Sequence, residues 1–438
     1  MKITTDEKKI QELLTRGVGE FIDPDGAFRK KLITNPEKIV IKFGIDPTRP
    51  DIHIGHAVVL HKLRQFQDLG CKIIFLIGDY TAQIGDPTGK NKTRPTIDLK
   101  EIVSNGNTYL EQVKNILNTT DKKKYQLLFN SIWYWSATDY KGGTMAQKAT
   151  KWEKDRRKYL NIRTDHALPT VTLLNLMNTL KYITHAQLIE RDMFQQRISS
   201  GEELYTHEML YPVLQGIDSD CIAGFFGSCD LEVGGTDQTF NMLMARPIMK
   251  RGNKSPQAVL AFKLLEGTDG KEKMSKSLDN YIAITDEPND MYGKVMSIPD
   301  SSIGNYFELC TFTPTEEVEE IKKKLKKTSV NPKDIKMNLA RQIVSIYHGE
   351  TKAGKAEENF EKTFAKGGIP DDVKEIKNES RSLDVLVMSG VKSTSEAQRL
   401  FDAGAVIDVT ENKKLTSKDK LKSGHVLKIG KHRFIKIK

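Results

Sequence analysis

The chain has 438 residues, enough for two or three domains of ordinary size, and its hydrophobic fraction of 38% suits a soluble globular protein. No run of about 18 apolar residues occurs, which argues against a transmembrane helix, and the charged start MKITTDEKKIQELL lacks the apolar core and cleavage site of a secretory signal. Cys71, Cys221, Cys229 and Cys310 are too few for a disulfide framework and form no C-x-x-C pair, so neither zinc nor another structural metal is expected and a reducing, cytoplasmic setting is.

The formal net charge is +10, which favours a polyanionic partner through counterion release, although solvated surface lysines account for it equally well. Its distribution is more informative. Residues 381–438 carry 13 Lys and Arg against 6 Asp and Glu, so most of the imbalance lies in the last segment.

In chain order, KIVIKF at 38–43 reads as a short buried strand ended by Gly44 and Pro47. From Gly55, the residues Val59, Leu60, Leu63, Phe66 and Leu69 recur at helical spacing, with Gly70 placed to end the helix. KIIFLIGD follows as a nearly continuous apolar strand. Strand, helix and strand make a βαβ unit with a right-handed crossover, the opening of an α/β, doubly wound, parallel-sheet domain over residues 1–265. Apolar segments at 171–177, 221–226 and 259–265 supply further helices or strands. Residues 135–167 are charged and aperiodic, and read as a surface insertion.

Residues 266–285 form a loop and linker, after which the texture becomes helical. Thr313, Pro314 and Glu316 read as cap, first-turn proline and capping-box glutamate of one helix. Ile335, Leu339, Ile343 and Ile346 line one face of another, within a helical domain over 286–366. Gly367-Gly368-Ile369-Pro370 opens a linker over 367–380, and a small basic α+β segment closes the chain at 381–438.

Three groups of residues carry chemistry. The first is His53-Ile54-Gly55-His56, at a helix N-terminus whose free N–H groups and positive dipole suit a phosphate. Gly55 would let an adenine ring approach the backbone. The same residues suit a helix cap or, with more ligands, a zinc pair. The second is Lys273-Met274-Ser275-Lys276-Ser277, whose two lysines on a turn-rich loop can close over a pyrophosphate as charge develops. A solvated lysine loop is the bland alternative. The third is Tyr211, Gln215 and Asp218, which share one face of a helix and offer a phenol an acceptor in Asp218 and an ammonium two partners. A Walker loop is excluded, because Gly85-Asp86-Pro87-Thr88-Gly89-Lys90-Asn91 has the wrong spacing.

The first two motifs, in this order and more than 200 residues apart, resemble the HIGH and KMSKS motifs of class I aminoacyl-tRNA synthetases, and the third resembles the tyrosine pocket of the tyrosyl-tRNA synthetases. Gly44-Ile45-Asp46-Pro47-Thr48 is similar to the family's G-x-D-P-T, which implies Gly44 and Asp46 at the nucleotide and Thr48 beside His53 at the γ-phosphate. Ile84-Gly85-Asp86-Pro87 resembles I-G-D-P, implying Asp86 on the substrate ammonium. Gly234-Gly235-Thr236-Asp237-Gln238 resembles a strand end that gives Gly235 and Asp237 to adenosine and Gln238 to the amino acid. By the same resemblance, His56 joins the catalytic group, Met274, Ser275 and Ser277 hold the adenylate, and Lys90 and Arg94 assist pyrophosphate departure. The segment 381–438 looks like an S4-type RNA-binding domain, and the resemblance implies that 286–366 is an anticodon-binding domain that shares anticodon contact with it.

Three partners and a reaction follow from the resemblance: L-tyrosine, ATP as its Mg2+ complex, and tRNA(Tyr), joined by a tyrosine–tRNA ligase that acts as a homodimer. Lys42 departs from the pattern, since many members have a tyrosine there as a second partner for the phenol. The 135–167 segment departs too. An RNA-binding paralogue without aminoacylation and a tryptophanyl enzyme are the rival readings; intact His53, His56, Lys273, Lys276 and Asp218 oppose the first, and the Y-x-x-x-Q-x-x-D group opposes the second.

Overall fold

The computed structural model describes residues 7–88, 97–134, 171–327, 330–362, 373–377, 381–391, 393–430 and 433–438. The chain divides into two compact units, one formed by 1–285 with 304–326 and the other by 286–303 with 327–438. The segment at 135–167 read as an insertion lies outside the described residues.

The first unit is built on six strands: β1 (Val18–Ile22), β2 (Val40–Ile45), β3 (Lys72–Ile77), β4 (Tyr125–Phe129), β5 (Leu231–Gly235) and β6 (Ala258–Phe262). Their order is β1-β6-β5-β2-β3-β4, with every neighbouring pair parallel except β1 and β6. The parallel sheet expected is present in β2 to β6, and β1 adds an antiparallel edge strand to it. Its sequence VGEFI is half-exposed at an edge, so it lacks the apolar run that marks β3. The strand expected at 38–43 starts instead at Val40, because Pro36–Lys38 forms a 3-10 turn, and runs on through Gly44 and Ile45, which pair with Leu76 and Ile77.

Both faces of the sheet are covered. Val40, Ile74, Leu76 and Leu128 point to one side and pack with Val213, Leu214, Ile217 and Ile222 of the helix Thr206–Phe226. On the other, the Phe43 and Phe75 rings pack at a tilt with centroids 5.7 Å apart, and the helix Ile54–Asp68 buries Leu63 and Phe66. The alternation follows from the period-2 geometry of strands. The helix Thr206–Phe226 is buried over most of its length, and its polar residues Glu208, Asp218 and Ser219 are enclosed within the unit.

Residues 304–326 cluster with this first unit. Arg16 donates to the carbonyls of Glu308 and Thr311, and the Tyr306 hydroxyl donates to the Glu266 carbonyl. The helix Thr315–Leu325 begins one residue later than Thr313 implies. Pro314 is its cap, without a side-chain cap bond, and Glu316 and Glu317 fill the acidic first turn.

In the second unit, the helix Pro332–His348 buries Lys336, Met337, Leu339, Ala340, Ile343 and Val344. Ile335 and Ile346 are only half-buried, so the apolar stripe is rotated from the one read off isoleucine spacing. The C-terminal part is a sheet in the order β7-β11-β10-β8-β9, formed by β7 (Lys374–Ile376), β8 (Val406–Asp408), β9 (Lys413–Lys414), β10 (Val426–Ile429) and β11 (Arg433–Ile437). It shares a core with Val385, Leu386, Ala397 and Phe401 of two helices. Three residues of the segment read as a linker form β7, anchored by Ile376 at 4% exposure.

Candidate active site

The chain leaves β2 for β3 and β4 on one side, then returns to place β5 and β6 on the other. The resulting switch point between β2 and β5 opens a crevice at the carboxyl ends of the parallel strands, where such sheets bind ligands. A cavity of about 1050 Å³ occupies it. Gly44, Asp46 and Thr48 line it from the end of β2, and Gly235, Asp237 and Gln238 from the end of β5.

Two histidines stand at one wall. His53 caps the helix Ile54–Asp68, its Nδ1 accepting from the His56 amide at 3.3 Å, while His56 Nδ1 accepts from the His53 amide at 3.4 Å. The two rings stack with centroids 3.7 Å apart. Burial lowers the His53 pKa to about 3, helped by the charges of Lys276 and Lys273, and burial likewise holds His56 well below the ordinary range. Both rings are therefore neutral. With Nδ1 accepting, the ring hydrogen of each is on Nε2, a donor suited to an anion. Gly55 leaves room here, since a Cβ would stand 3.0 Å from His53 Nδ1. The cap reading and the phosphate reading of this motif are compatible, because the cap uses Nδ1 alone.

The distant lysine loop is brought to this wall by backbone pairing. The Ile54 amide donates to the Ile282 carbonyl at 2.9 Å and the Ile284 amide to the Ile52 carbonyl at 3.0 Å, with His53 bridged to Ala283. Lys273 Nζ lies 2.6 Å from Asp237 Oδ2. Lys276 Nζ donates to the Tyr109 hydroxyl at 3.2 Å, stands 5.0 Å from the centre of that ring, and reaches the Arg49 carbonyl at 3.4 Å. Burial lowers its pKa to about 8, with Asp51 opposing. Met274 and Ser275 line the cavity too, and the backbone of Ser277 lies in the short turn Lys276–Leu278.

At the opposite end, Tyr211, Gln215 and Asp218 line the cavity from one face of the helix Thr206–Phe226. The Tyr211 hydroxyl donates to Asp46 Oδ2 at 2.8 Å, and Thr81 Oγ1 donates to Asp46 Oδ1 at 2.8 Å. Asp86 accepts from Thr88 Oγ1 at 2.6 Å and from Gln238 Nε2 at 2.7 Å. Asp218 accepts from Trp133 Nε1 at 2.8 Å and Asn130 Nδ2 at 3.3 Å. Its pKa rises to about 6 because burial outweighs the opposing effects of Lys42, Trp133, Asn130 and Tyr134.

Lys90 and Arg94 lie outside the described residues. Several residues not singled out by motif also build the site. Arg191, 8% exposed, bonds Thr88 Oγ1 and reaches the Asp237 carbonyl at 3.4 Å, tying the Asp86 loop to the end of β5. Lys42 and Glu232 form a buried ion pair at 2.9 Å. A lone charge inside each of two apolar strand runs was the available signal. Tyr109 carried none, being one aromatic on an ordinary amphipathic helix, Leu99–Val113.

The profile of the family described as tRNA synthetases class I (W and Y) matches residues 34–365. A tyrosine–tRNA ligase of Thermotoga maritima is 40% identical over 437 residues, covering 99% of this chain and 98% of that one. One of Carboxydothermus hydrogenoformans is 39% identical over 447 residues, with coverages of 99% and 98%. Among solved structures, a C-terminally truncated mitochondrial tyrosyl-tRNA synthetase of Aspergillus nidulans has a TM-score of 0.58 at 20% identity, over 81% of this chain and 94% of that one, a likeness of fold. With two relatives so similar from end to end and both signature motifs on one cavity, the chain belongs to the class I tRNA synthetases, in the tyrosine–tRNA ligase family.

Proposed function

We propose that the chain activates L-tyrosine with Mg·ATP to tyrosyl-adenylate and pyrophosphate, then transfers the tyrosyl group to the 3′ end of tRNA(Tyr). One observation carries this reading: the His53 segment and the stretch beyond Lys276 are backbone-paired beside a cavity that Asp218 also lines. The tyrosine ammonium falls to Asp86 and Gln238, with Tyr211 and Gln215, and the phenol to Asp218. Asp237 takes the ribose, with Gly44, Asp46, Gly55, Gly235, Met274, Ser275 and Ser277 about the nucleotide.

The first step needs no covalent enzyme intermediate. The tyrosine carboxylate attacks the α-phosphorus in line, and negative charge grows on the departing pyrophosphate. Thr48 and the neutral His53 and His56 donate hydrogen bonds to it, while Lys273 and Lys276 supply charge, with Lys90 and Arg94 assigned to the same leaving group. Catalysis is then mostly positioning and electrostatic stabilisation in a site partly closed to water. In the second step the terminal ribose hydroxyl of tRNA takes the tyrosyl group and AMP leaves.

The tRNA contacts are assigned to an anticodon-binding region over 286–366 and an S4-type module over 381–438, and the basic composition of the second supports its share. A homodimer is assigned as well: Leu173, Leu174 and Met177 on the helix Leu173–Leu180 are 75%, 68% and 52% exposed, an apolar face that a second copy would cover. Sedimentation of the full chain as a monomer at micromolar concentration would remove that assignment. Among the described residues no helix is long and apolar enough to cross a membrane, and the cytoplasm is the assigned compartment. The test of the whole reading is charging of a tRNA(Tyr) transcript with labelled tyrosine. Binding of the transcript without charging would overturn it in favour of an RNA-binding paralogue.

A further inference from the structure

Among the described residues, the side chains of Trp133, Asn130, Tyr134 and Lys42 carry hydrogen-bond donors near Asp218, and each is committed to an acceptor within the protein. Trp133 Nε1 gives its single hydrogen to Asp218 Oδ1. Asn130 Nδ2 gives one to Asp218 Oδ2 and the other to Thr81 Oγ1 at 3.0 Å. The Tyr134 hydroxyl donates to the Leu214 carbonyl at 2.8 Å. The Lys42 ammonium has three hydrogens and three acceptors: the Gln215 carbonyl at 2.7 Å, Ser219 Oγ at 2.9 Å and Glu232 Oε1 at 2.9 Å.

Lys42 is not easily released toward a ligand. Its side chain and that of Glu232 are 1% and 2% exposed, so swinging the ammonium away would strand a buried carboxylate. Glu232 is further held by Gln215 Nε2, Ser219 Oγ and Gln257 Nε2, which fixes the pair from three directions. Lys42 thus lines the cavity together with Asp218, yet its hydrogens are turned to its own network.

We propose that the Asp218 end of the cavity is an acceptor-only site, which holds a para substituent by the hydrogen bond it donates and gives none back, so that the chain also activates phenylalanines bearing a para N–H donor, 4-aminophenylalanine first among them. This rests on the reading of the cavity as a tyrosine-activating site. A phenol donates its O–H to Asp218. An aniline group of nearly the same size donates an N–H to the same oxygen, and its lone pair, delocalised into the ring, needs no donor. Where a donor faced the substituent, the aniline would leave it buried and unpaired, a penalty that this arrangement lacks. Phenylalanine and 4-fluorophenylalanine leave the buried Asp218 carboxylate with its bonds from Trp133 and Asn130 alone and bring no donor from the ligand side, where water is displaced at a cost.

The test is amino-acid-dependent ATP–pyrophosphate exchange by the full chain, measured well above pH 6, where Asp218 is ionised. Tyrosine, 4-aminophenylalanine, 4-fluorophenylalanine and phenylalanine are compared by kcat/KM. The amine is expected within about 100-fold of tyrosine and at least about tenfold above phenylalanine, the range of one hydrogen bond to a charged group. An amine no better than phenylalanine would overturn the proposal. Absence of exchange with tyrosine itself would instead sink the underlying reading of the cavity. A second arm uses the variant carrying Lys42→Met with Glu232→Gln. The ratio of tyrosine to 4-aminophenylalanine should stay within about threefold of its original value, since Lys42 gives the hydroxyl nothing. A ratio that shifts strongly toward the amine would make Lys42 the donor and overturn the proposal. Should this variant fail to fold, the analogue series on the unaltered chain still decides.

Discussion

Lys273 Nζ lies 2.6 Å from Asp237 Oδ2, so the first lysine of the signature loop rests on the carboxylate proposed for the ribose of ATP. Both groups are partly exposed, at 38% and 22%, so the pair is cheaply broken when a nucleotide arrives. The loop lysine is thereby held close to the wall formed by His53 and His56.

Replacing Lys273 by Ala removes a charge proposed to stabilise the leaving pyrophosphate. Tyrosine-dependent pyrophosphate exchange should fall by about 10²–10³-fold, the scale of one lost transition-state donor. KM for tyrosine should change little, because Asp86, Gln238 and Asp218 are untouched. An equal rise in KM for tyrosine would point to a general loss of structure.

Lys276 gives a pH dependence. Its pKa is lowered by burial to about 8, so its charge is present below that pH and is lost as pH rises through it. The kcat/KM for ATP reports the free enzyme and should decline above about pH 8. In Lys276→Arg the cation persists at all accessible pH values, and the alkaline limb should disappear.

Gly78 packs against the Asp46 carboxylate. A Cβ there would overlap Asp46 Oδ1 and Thr81 Oγ1, the partners that fix Asp46 for its bond from Tyr211. Gly78→Ala should cost about 1–3 kcal/mol in denaturant unfolding, as overpacking does, and should lower exchange activity as well. Unchanged stability would mean that the strand end yields more readily than its packing implies.

His61 tests the fold rather than the chemistry. It packs edge-on to Phe312 at 5.2 Å, and burial lowers its pKa from 6.5 to about 4. The folded state therefore favours the neutral ring. Above pH 6.5 it costs nothing; as pH falls toward about 4 the unfolded chain takes up a proton that the fold refuses, and stability drops. Urea unfolding of His61→Gln should show a shallower loss between those pH values than the unaltered chain. Parallel curves would remove His61 from the acid response.

The βαβ opening was legible because β3 is an unbroken apolar run and the helix Ile54–Asp68 keeps its buried residues at helical spacing. β1 was not, since an exposed edge strand carries no such run. Thr313 misled by one residue because Pro314 serves as the cap itself. The signature residues could be named from sequence, but what brings them together could not. That depends on the pairing of Ile52 and Ile54 with the 282–284 stretch, which leaves no mark in composition. Lys42 and Glu232 were each open to notice as a charge within an apolar strand, though neither was singled out on that ground, and only the register of β2 against β5 makes them partners. Arg191 stayed hidden for the same reason: its role is to join two loops that the sequence keeps far apart.

The most direct measurement is ATP–pyrophosphate exchange by the full chain with each of the twenty amino acids in turn. The wall at His53 and Lys276 proposed for the triphosphate and the carboxylate of Asp218 bound one cavity, so exchange should be fast with tyrosine and at background with phenylalanine and tryptophan. Exchange with tryptophan or phenylalanine at the tyrosine rate, or with no amino acid at all, would contradict the account.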